Sequence, residues 1–152
     1  MAERVDRAER IIDAPPERLF AAWTEAAVLA RWLPPEGARA EIELLELRPG
    51  GALRMVLHFP EGIPGKAGAA RDEVRARFAA LDPPHGLSLD VAFPSDDPAN
   101  HGTMRMDWRF TPVARGTLAS VEARDVPEGI SPEDHAAGLA SSLANLARIT
   151  EP

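Results

Sequence analysis

The sequence predicts an α+β domain in which an antiparallel sheet of about six or seven strands wraps around one long C-terminal helix. Apolar and polar residues alternate with a period of two from residue 40 to 126, whereas the only long stretch with helical spacing is Ser131–Thr150. The chain's 15 prolines and 11 glycines divide the remainder into short segments, as is typical of strands joined by turns. With 152 residues, 45% of them hydrophobic, we assign one domain to residues 1–152.

The N-terminal region predicts one strand followed by two short helices. The strand runs from Arg4 to Asp13, and Pro16 suits the first turn of a helix because its missing N–H is not needed there. Apolar residues then follow at helical spacing, namely Leu19, Phe20 and Trp23. Thr24 is the predicted N-cap of a second helix, which ends before Pro34.

The middle of the chain predicts the remaining strands. In the segment TMRMDWRF, residues 103–110, the side chains of one face are Met104, Met106, Trp108 and Phe110, and the intervening residues are charged. This alternation indicates an antiparallel sheet with one buried and one solvated face. The phase of the alternation changes near Leu44–Leu45, which predicts a β-bulge there.

The last segment predicts a long amphipathic helix. Ser131 is placed as its N-cap and Pro132 in its first turn. The apolar stripe has helical spacing and consists of Ala136, Leu139, Leu143 and Leu146. This stripe is expected to cover the dry face of the sheet.

Charge and composition exclude several classes of function. A formal net charge of −7 opposes binding to nucleic acid or to an anionic membrane, because such partners require a surplus of Lys and Arg. The absence of cysteine excludes disulfides, thiolate nucleophiles and Cys-ligated zinc. The sequence shows neither a signal-peptide pattern nor a run of eighteen apolar residues. We therefore expect a cytoplasmic protein without a nucleic-acid or membrane partner.

The sequence contains no recognisable catalytic or metal-binding motif. Its histidines are His58, His85, His101 and His135, which lie on different predicted elements without an i,i+4 pair or a flanking carboxylate in the pattern of a metal site. Each is expected at the surface or in a turn. Ser141-Ser142 has no nucleophile-elbow context and is interpreted as a spacer or a solvent-facing pair. We predict no catalytic residue, metal site or cofactor.

Four segments carry a resemblance to a known family: IIDAPPERLFAAWTEAAVLARWLPP, LRPGGALRM, ALDPPHGLSL and AAGLASSLANLARI. In this order they resemble the bacterial relatives of the activator of heat-shock protein 90 ATPase, within the START-like (SRPBCC) helix-grip superfamily. Two positions depart from the pattern of the family. Trp32-Leu33 replaces a tandem Trp-Trp, and Leu139 replaces a Trp that often follows the helix glycine.

The resemblance implies a cavity between the sheet and the C-terminal helix. The residues expected to line it and to contact a small apolar ligand are Trp32, Leu57, Phe59, Phe78, Phe93, Met104, Met106, Trp108, Leu139 and Leu143. Large sheet residues facing small helix residues are equally compatible with a tightly packed core. The methionines favour a cavity, because an unbranched thioether adapts to varied apolar guests.

Two classes of function follow from this resemblance. One is a binding module for a small apolar molecule or a chaperone-associated protein of the stress response, with a chaperone or other protein partner. The other is an enzyme of the polyketide cyclase and aromatase kind, which needs a titratable group inside the cavity. The apolar inward positions favour binding. The eukaryotic activators pair this domain with a second one, so we expect at most a weak effect on a heat-shock protein 90 ATPase.

The loop PSDDPANHG, residues 94–102, is a candidate gate to the cavity.

Overall fold

A computed structural model describes residues 4–35, 37–59, 71–94, 98 and 102–152. Seven strands and three helices make up its regular structure within these ranges. In chain order they are β1 (Val5–Ile12), α1 (Pro16–Ala21), α2 (Ala26–Trp32), β2 (Arg39–Leu45), β3 (Ala52–His58), β4 (Arg71–Asp82), β5 (Gly86–Ala92), β6 (Met104–Val113), β7 (Gly116–Arg124) and α3 (Pro132–Thr150).

The strands form one antiparallel sheet in the order β1-β7-β6-β5-β4-β3-β2. All neighbours are consecutive in the chain except β1 and β7, which pair from Val5↔Arg124 to Ile12↔Thr117. The first strand therefore closes onto the last, and the two short helices connect the two edges of the sheet. This architecture confirms the predicted α+β helix-grip fold. No described helix is long and apolar enough to cross a membrane.

Two local predictions require comment. Thr24 does not cap α2, whose N-cap is Glu25 without a side-chain hydrogen bond. The Thr24 hydroxyl instead donates to the Ala21 carbonyl at 2.7 Å and closes the last turn of α1, so that prediction was wrong. The register shift in β2 lies between Ile42 and Leu44, beside the predicted bulge.

Helix α3 packs mainly against β1, α2 and α1 rather than across the middle of the sheet. Its C-terminal half contributes the most deeply buried side chains, since Leu143 and Leu146 are 0% exposed. The apolar contact that fixes the helix thus lies towards one edge of the sheet. The other half of α3 faces strands β3 to β6 without packing closely on them.

Side-chain hydrogen bonds attach the middle of α3 to the end of α2. The Ser142 hydroxyl donates to the Leu33 carbonyl at 2.6 Å. The Asn145 amide donates to the carbonyls of Trp32 and Pro34, at 3.3 and 3.1 Å. Ser142 is 5% exposed, so the interpretation of this serine as a spacer or solvent-facing residue was wrong. Its hydroxyl satisfies a carbonyl at a helix end, where backbone groups lack intrahelical partners.

Further hydrogen bonds hold the C-terminal end of α3. The Arg18 guanidinium donates to the Thr150 carbonyl at 3.0 Å. The Asp13 backbone N–H donates to the Glu151 carboxylate, also at 3.0 Å. Both donors belong to the segment around α1. The helix is therefore positioned along its length by polar contacts with β1 and the short helices.

The N-terminus of α3 confirms the predicted cap. The Ser131 hydroxyl accepts a hydrogen bond from the Asp134 backbone N–H at 3.2 Å, and Pro132 occupies the first turn. A polar cap of this kind satisfies one of the backbone donors that a helix start leaves unpaired.

We predict that Ser131→Ala lowers the free energy of unfolding by about 1 kcal/mol, because the cap is lost. Ser131→Gly should cost only a few tenths of a kcal/mol, since glycine is itself an acceptable N-cap. Urea unfolding of both variants followed by circular dichroism measures the difference. Equal losses in the two variants would show that the hydroxyl does not act as a cap.

Candidate functional site

A pocket of about 330 Å³ lies between the N-terminal half of α3 and the inner face of strands β3 to β6. The sheet contributes every second residue of each strand, as expected for side chains on one face. These residues are Leu53, Met55 and Leu57 of β3, Val74 and Ala76 of β4, Leu89 and Val91 of β5, and Met104, Met106 and Trp108 of β6.

The helix side of the pocket is formed by one face of α3. Its contributors follow helical spacing and are Asp134, His135, Gly138, Leu139 and Ser142. Gly138 leaves space in this wall, because a Cβ there would meet only the Pro35 side chain, at 3.8 Å. Asp134 is solvent-exposed and His135 half-buried, so the pocket opens to solvent at the first turn of α3.

The structure brings together seven of the ten residues predicted to line a cavity. They are Leu57, Phe59, Phe93, Met104, Met106, Trp108 and Leu139. The other three, Trp32, Phe78 and Leu143, are not part of the wall; all are 0% exposed in the core. Contact of any of the ten with a ligand stays a prediction.

Fourteen further residues line the pocket that were not predicted to do so. They are Trp23, Leu33, Pro35, Leu53, Met55, Val74, Ala76, Leu89, Val91, Ile130, Asp134, His135, Gly138 and Ser142. Those on strands share a strand face with the predicted residues, so the alternation of apolar residues could have identified them. No sequence signal marks Leu33, Pro35 or Ile130, which come from irregular segments.

Three tryptophans pack together behind and beside the pocket. Trp23, Trp32 and Trp108 contact one another in T-shaped pairs, with ring centroids 5.2 to 5.4 Å apart. The Trp32 indole N–H donates to the Ala22 carbonyl at 3.0 Å. The indole nitrogens of Trp23 and Trp108 are buried without a hydrogen-bond partner in the described part of the chain.

A charged cluster, which we call the polar corner, consists of Arg4, Asp6 and His135 at the mouth of the pocket. His135 Nδ1 lies 2.7 Å from Asp6 Oδ2. Arg4 donates to both Asp6 oxygens, from Nε at 3.0 Å and from Nη2 at 2.8 Å. Arg4 Nη2 also donates to the Ile130 carbonyl at 2.7 Å, which ties β1 to the segment before α3.

The polar corner corrects the expectation that His135 is a surface or turn residue. The side chain of His135 is 14% exposed and that of Asp6 only 5%. The two residues are 129 positions apart in sequence, so spacing along the chain gave no indication of the pair. They meet because α3 packs on β1.

The charge of Asp6 follows from its surroundings. Burial raises the pKa of Asp6, but the hydrogen bonds from Arg4 and His135 and the positive charge of Arg4 outweigh it and lower the pKa below the ordinary value. The hydrogen bond to Asp6 in turn raises the pKa of Arg4. Asp6 is therefore ionised at neutral pH and only accepts hydrogen bonds. The Nδ1 atom of His135 must then be the protonated nitrogen of the neutral ring.

The other histidines do not join this cluster. His58 is half-buried, with Nε2 3.3 Å from a Glu41 oxygen, and His85 is exposed in the turn between β4 and β5. His101 lies outside the described residues. Within the described ranges, no group of three or more His, Asp or Glu side chains is arranged to hold a metal ion. Most of the candidate gate loop, residues 94–102, also lies outside the described residues.

A second, more polar groove is open to solvent on the outer side of α3. Its charged members are Arg31, Arg39 and Arg148, and small residues such as Ala140 and Ala144 line the rest. It has little of the apolar enclosure that surrounds the pocket beneath α3. The apolar pocket beneath α3 is therefore the candidate functional site.

Comparison with known proteins gives a consistent family assignment. The sequence model of the family described as Activator of Hsp90 ATPase homolog 1-like protein matches residues 13–151. A comparison with curated proteins finds no match.

Several solved structures are similar over almost the whole chain. A protein from Chromobacterium violaceum is 30% identical, with a TM-score of 0.85 and coverage of 97% of each chain. An AHSA1 protein from Silicibacter pomeroyi is 24% identical, with a TM-score of 0.77 and 96% coverage of each chain. An AHSA1-like protein from Aeromonas hydrophila is 19% identical, with a TM-score of 0.70, covering 95% of this chain and 90% of that chain. The last two show the fold.

We predict that Asp6→Asn destabilises the protein at pH 7 by about 1.5–3 kcal/mol, because charged hydrogen bonds in a buried cluster are lost. A lowered carboxyl pKa contributes stability above the unfolded-state pKa, and this contribution disappears as the pH falls through the folded-state pKa. The difference between wild type and variant should therefore shrink between pH 7 and about pH 3. Urea unfolding at several pH values measures it.

Glu73→Gln provides the matched control, since Glu73 pairs with Arg75 on the exposed face of the sheet. An exposed pair of this kind contributes about 0–1 kcal/mol. The free energy of unfolding of the control should therefore stay close to that of wild type throughout this pH range. If the free energy of unfolding of Asp6→Asn stays below that of wild type by the same amount at every pH, the ionised carboxylate is not the source of the stability.

Proposed function

The chain belongs to the Activator of Hsp90 ATPase homolog 1-like family, and we propose that it is a binding module that holds a compact apolar molecule in the pocket beneath α3. The observation that carries this proposal is the continuous apolar wall of that pocket, formed by alternate residues of four adjacent strands and by Leu139 of α3. Burial of apolar surface is favourable by about 25 cal/mol per Å², so an apolar occupant of this space is stabilised.

The size and composition of the pocket indicate what kind of molecule would fit it. A volume of about 330 Å³ is at the small end of the range for ligand sites, which favours a molecule of one or two rings or a short chain. Met55, Met104 and Met106 all face the space. Flexible thioether side chains adapt to ligands of different shape, so the module accommodates a class of compounds rather than a single one.

The exposed surface supports a small-molecule ligand more strongly than a protein partner. Among the described residues, the exposed large hydrophobic side chains are those of Ile11 and Val113. A contiguous exposed apolar patch larger than a few hundred Å² often marks a docking site for a protein partner. Two such side chains supply only a small part of that area, and the larger apolar surface lies inside the pocket.

An enzyme of the polyketide cyclase kind is a second candidate, favoured by one observation. His135 lines the pocket and its Nδ1 is hydrogen-bonded to Asp6, an arrangement that orients an imidazole for proton transfer. Turnover of a polyketide-like substrate that is lost in His135→Phe would favour the enzyme. Binding without turnover favours the module.

We predict that Ala76→Phe lowers the affinity for an environment-sensitive apolar dye about tenfold or more, because the new ring fills pocket space. Ala76 lies on the pocket wall and is 8% exposed. The measurement is dye fluorescence titrated with protein, after thermal unfolding has shown that the variant is folded.

Ala79→Phe is the control, because Ala79 is exposed on the same strand. It adds the same ring outside the pocket and should leave dye affinity unchanged. Equal dye affinity for wild type and a folded Ala76→Phe protein would place the dye elsewhere and contradict the proposal.

A further inference from the structure

We propose that the molecule held in the pocket carries a hydrogen-bond-donating head group, a hydroxyl or an amine, which binds to Nε2 of His135 at the first turn of α3. This inference rests on the proposed function and names the chemical class of its ligand. It is derived from the polar atoms that face the pocket and from the partners that these atoms already have.

The free nitrogen of His135 is an acceptor. Its Nδ1 donates to Asp6, which Arg4 keeps ionised by a bidentate contact. When the ring is neutral, this contact places the proton at Nδ1 and the lone pair at Nε2. In the described part of the chain no group is hydrogen-bonded to Nε2, and this atom is not among the buried side-chain atoms without a partner. It is accessible at the mouth of the pocket, whose wall includes His135.

The other polar side chains of the pocket wall also offer acceptors. The Ser142 hydroxyl donates its proton to the Leu33 carbonyl at 2.6 Å. Its oxygen can therefore act only as an acceptor for a ligand. Asp134 contributes a carboxylate near the opening. The two indole N–H groups without partners, on Trp23 and Trp108, are buried within the tryptophan cluster. The polar wall therefore accepts hydrogen bonds and has few donors to give.

This arrangement discriminates between head groups on the same apolar body. A hydroxyl or amine supplies the proton that Nε2 needs. An ether or ketone displaces water from the acceptors without replacing its hydrogen bonds, which is costly for groups that become buried. A carboxylate has no proton to donate to Nε2, and it is also repelled by the negative charge of Asp134. For both reasons it should be the least favoured head group.

The test uses four naphthalene derivatives that differ at one position: 1-naphthol, 1-naphthylamine, 1-methoxynaphthalene and 1-naphthoate. Isothermal titration calorimetry with the full chain at neutral pH gives the dissociation constants. We expect the naphthol and the amine to bind about tenfold more tightly than the methyl ether, and the carboxylate to bind most weakly. Preference for the naphthol alone or the amine alone identifies which donor is recognised and still supports the proposal.

His135→Phe should remove the preference and give similar affinities for the naphthol and the methyl ether. His85→Phe is the matched control, because His85 is exposed in a turn outside the pocket wall, and it should keep the preference. An independent readout on the wild-type protein is the ¹⁵N chemical shift of His135 Nε2. It should change on addition of the naphthol and stay constant with the ether.

The outcomes separate this inference from the proposed function. Equal binding of the naphthol and the ether by the wild-type protein, or an unchanged Nε2 shift at saturating naphthol, overturns the donor head group and leaves the apolar module intact. A naphthol preference that persists in a folded His135→Phe protein also overturns it. Failure of all four compounds to bind counts against the proposed function itself, and with it against the inference.

Discussion

The polar attachment of α3 to β1 and to the two short helices is the constraint on which the pocket depends. Arg4 and Asp6 hold the start of the helix, Ser142 and Asn145 fix its middle, and Arg18 holds its end. Each such hydrogen bond contributes about 0.5–1.5 kcal/mol net, and together they define the helix axis. A helix positioned only by apolar contact would settle onto the sheet until the space closed, because protein interiors pack densely.

This division of roles also explains the asymmetry of the helix. Its C-terminal half packs into the core through Leu143 and Leu146, both 0% exposed. Its N-terminal half presents His135, Gly138 and Leu139 to the pocket. The C-terminal half therefore supplies the most deeply buried core contacts of the helix, and the N-terminal half supplies most of its pocket wall.

The sequence predicted the architecture well because the fold depends on local patterns. Alternation of apolar residues located the strands, and Ser131 with Pro132 marked the start of α3, as the structure confirms. The same alternation put Met104, Met106 and Trp108 on one face of a strand, and all three line the pocket in the structure. Side chains on one strand face share one environment, so a local rule carries this information.

The remaining features depend on tertiary contact that no local rule contains. Phe78 and Ala76 share the inward face of β4, but Ala76 lines the pocket whereas the ring of Phe78 packs against Trp23. The pair of His135 and Asp6 forms across 129 positions of sequence. Thr24 illustrates a local competition, since its hydroxyl bonds back to the Ala21 carbonyl of α1 instead of capping α2.

The central claim, that the space beneath α3 receives a ligand, is tested most directly by methyl NMR of methionine. Met55, Met104 and Met106 all line the pocket, on two strands of its wall. Protein labelled with ¹³C at the methionine methyl groups is titrated with 1-naphthol, and each resonance is assigned by a Met→Leu substitution. We predict that the three pocket resonances shift together and saturate at one dissociation constant, equal to the calorimetric value. Saturable binding in the calorimeter with all three resonances unmoved would place the ligand outside the pocket and contradict the account.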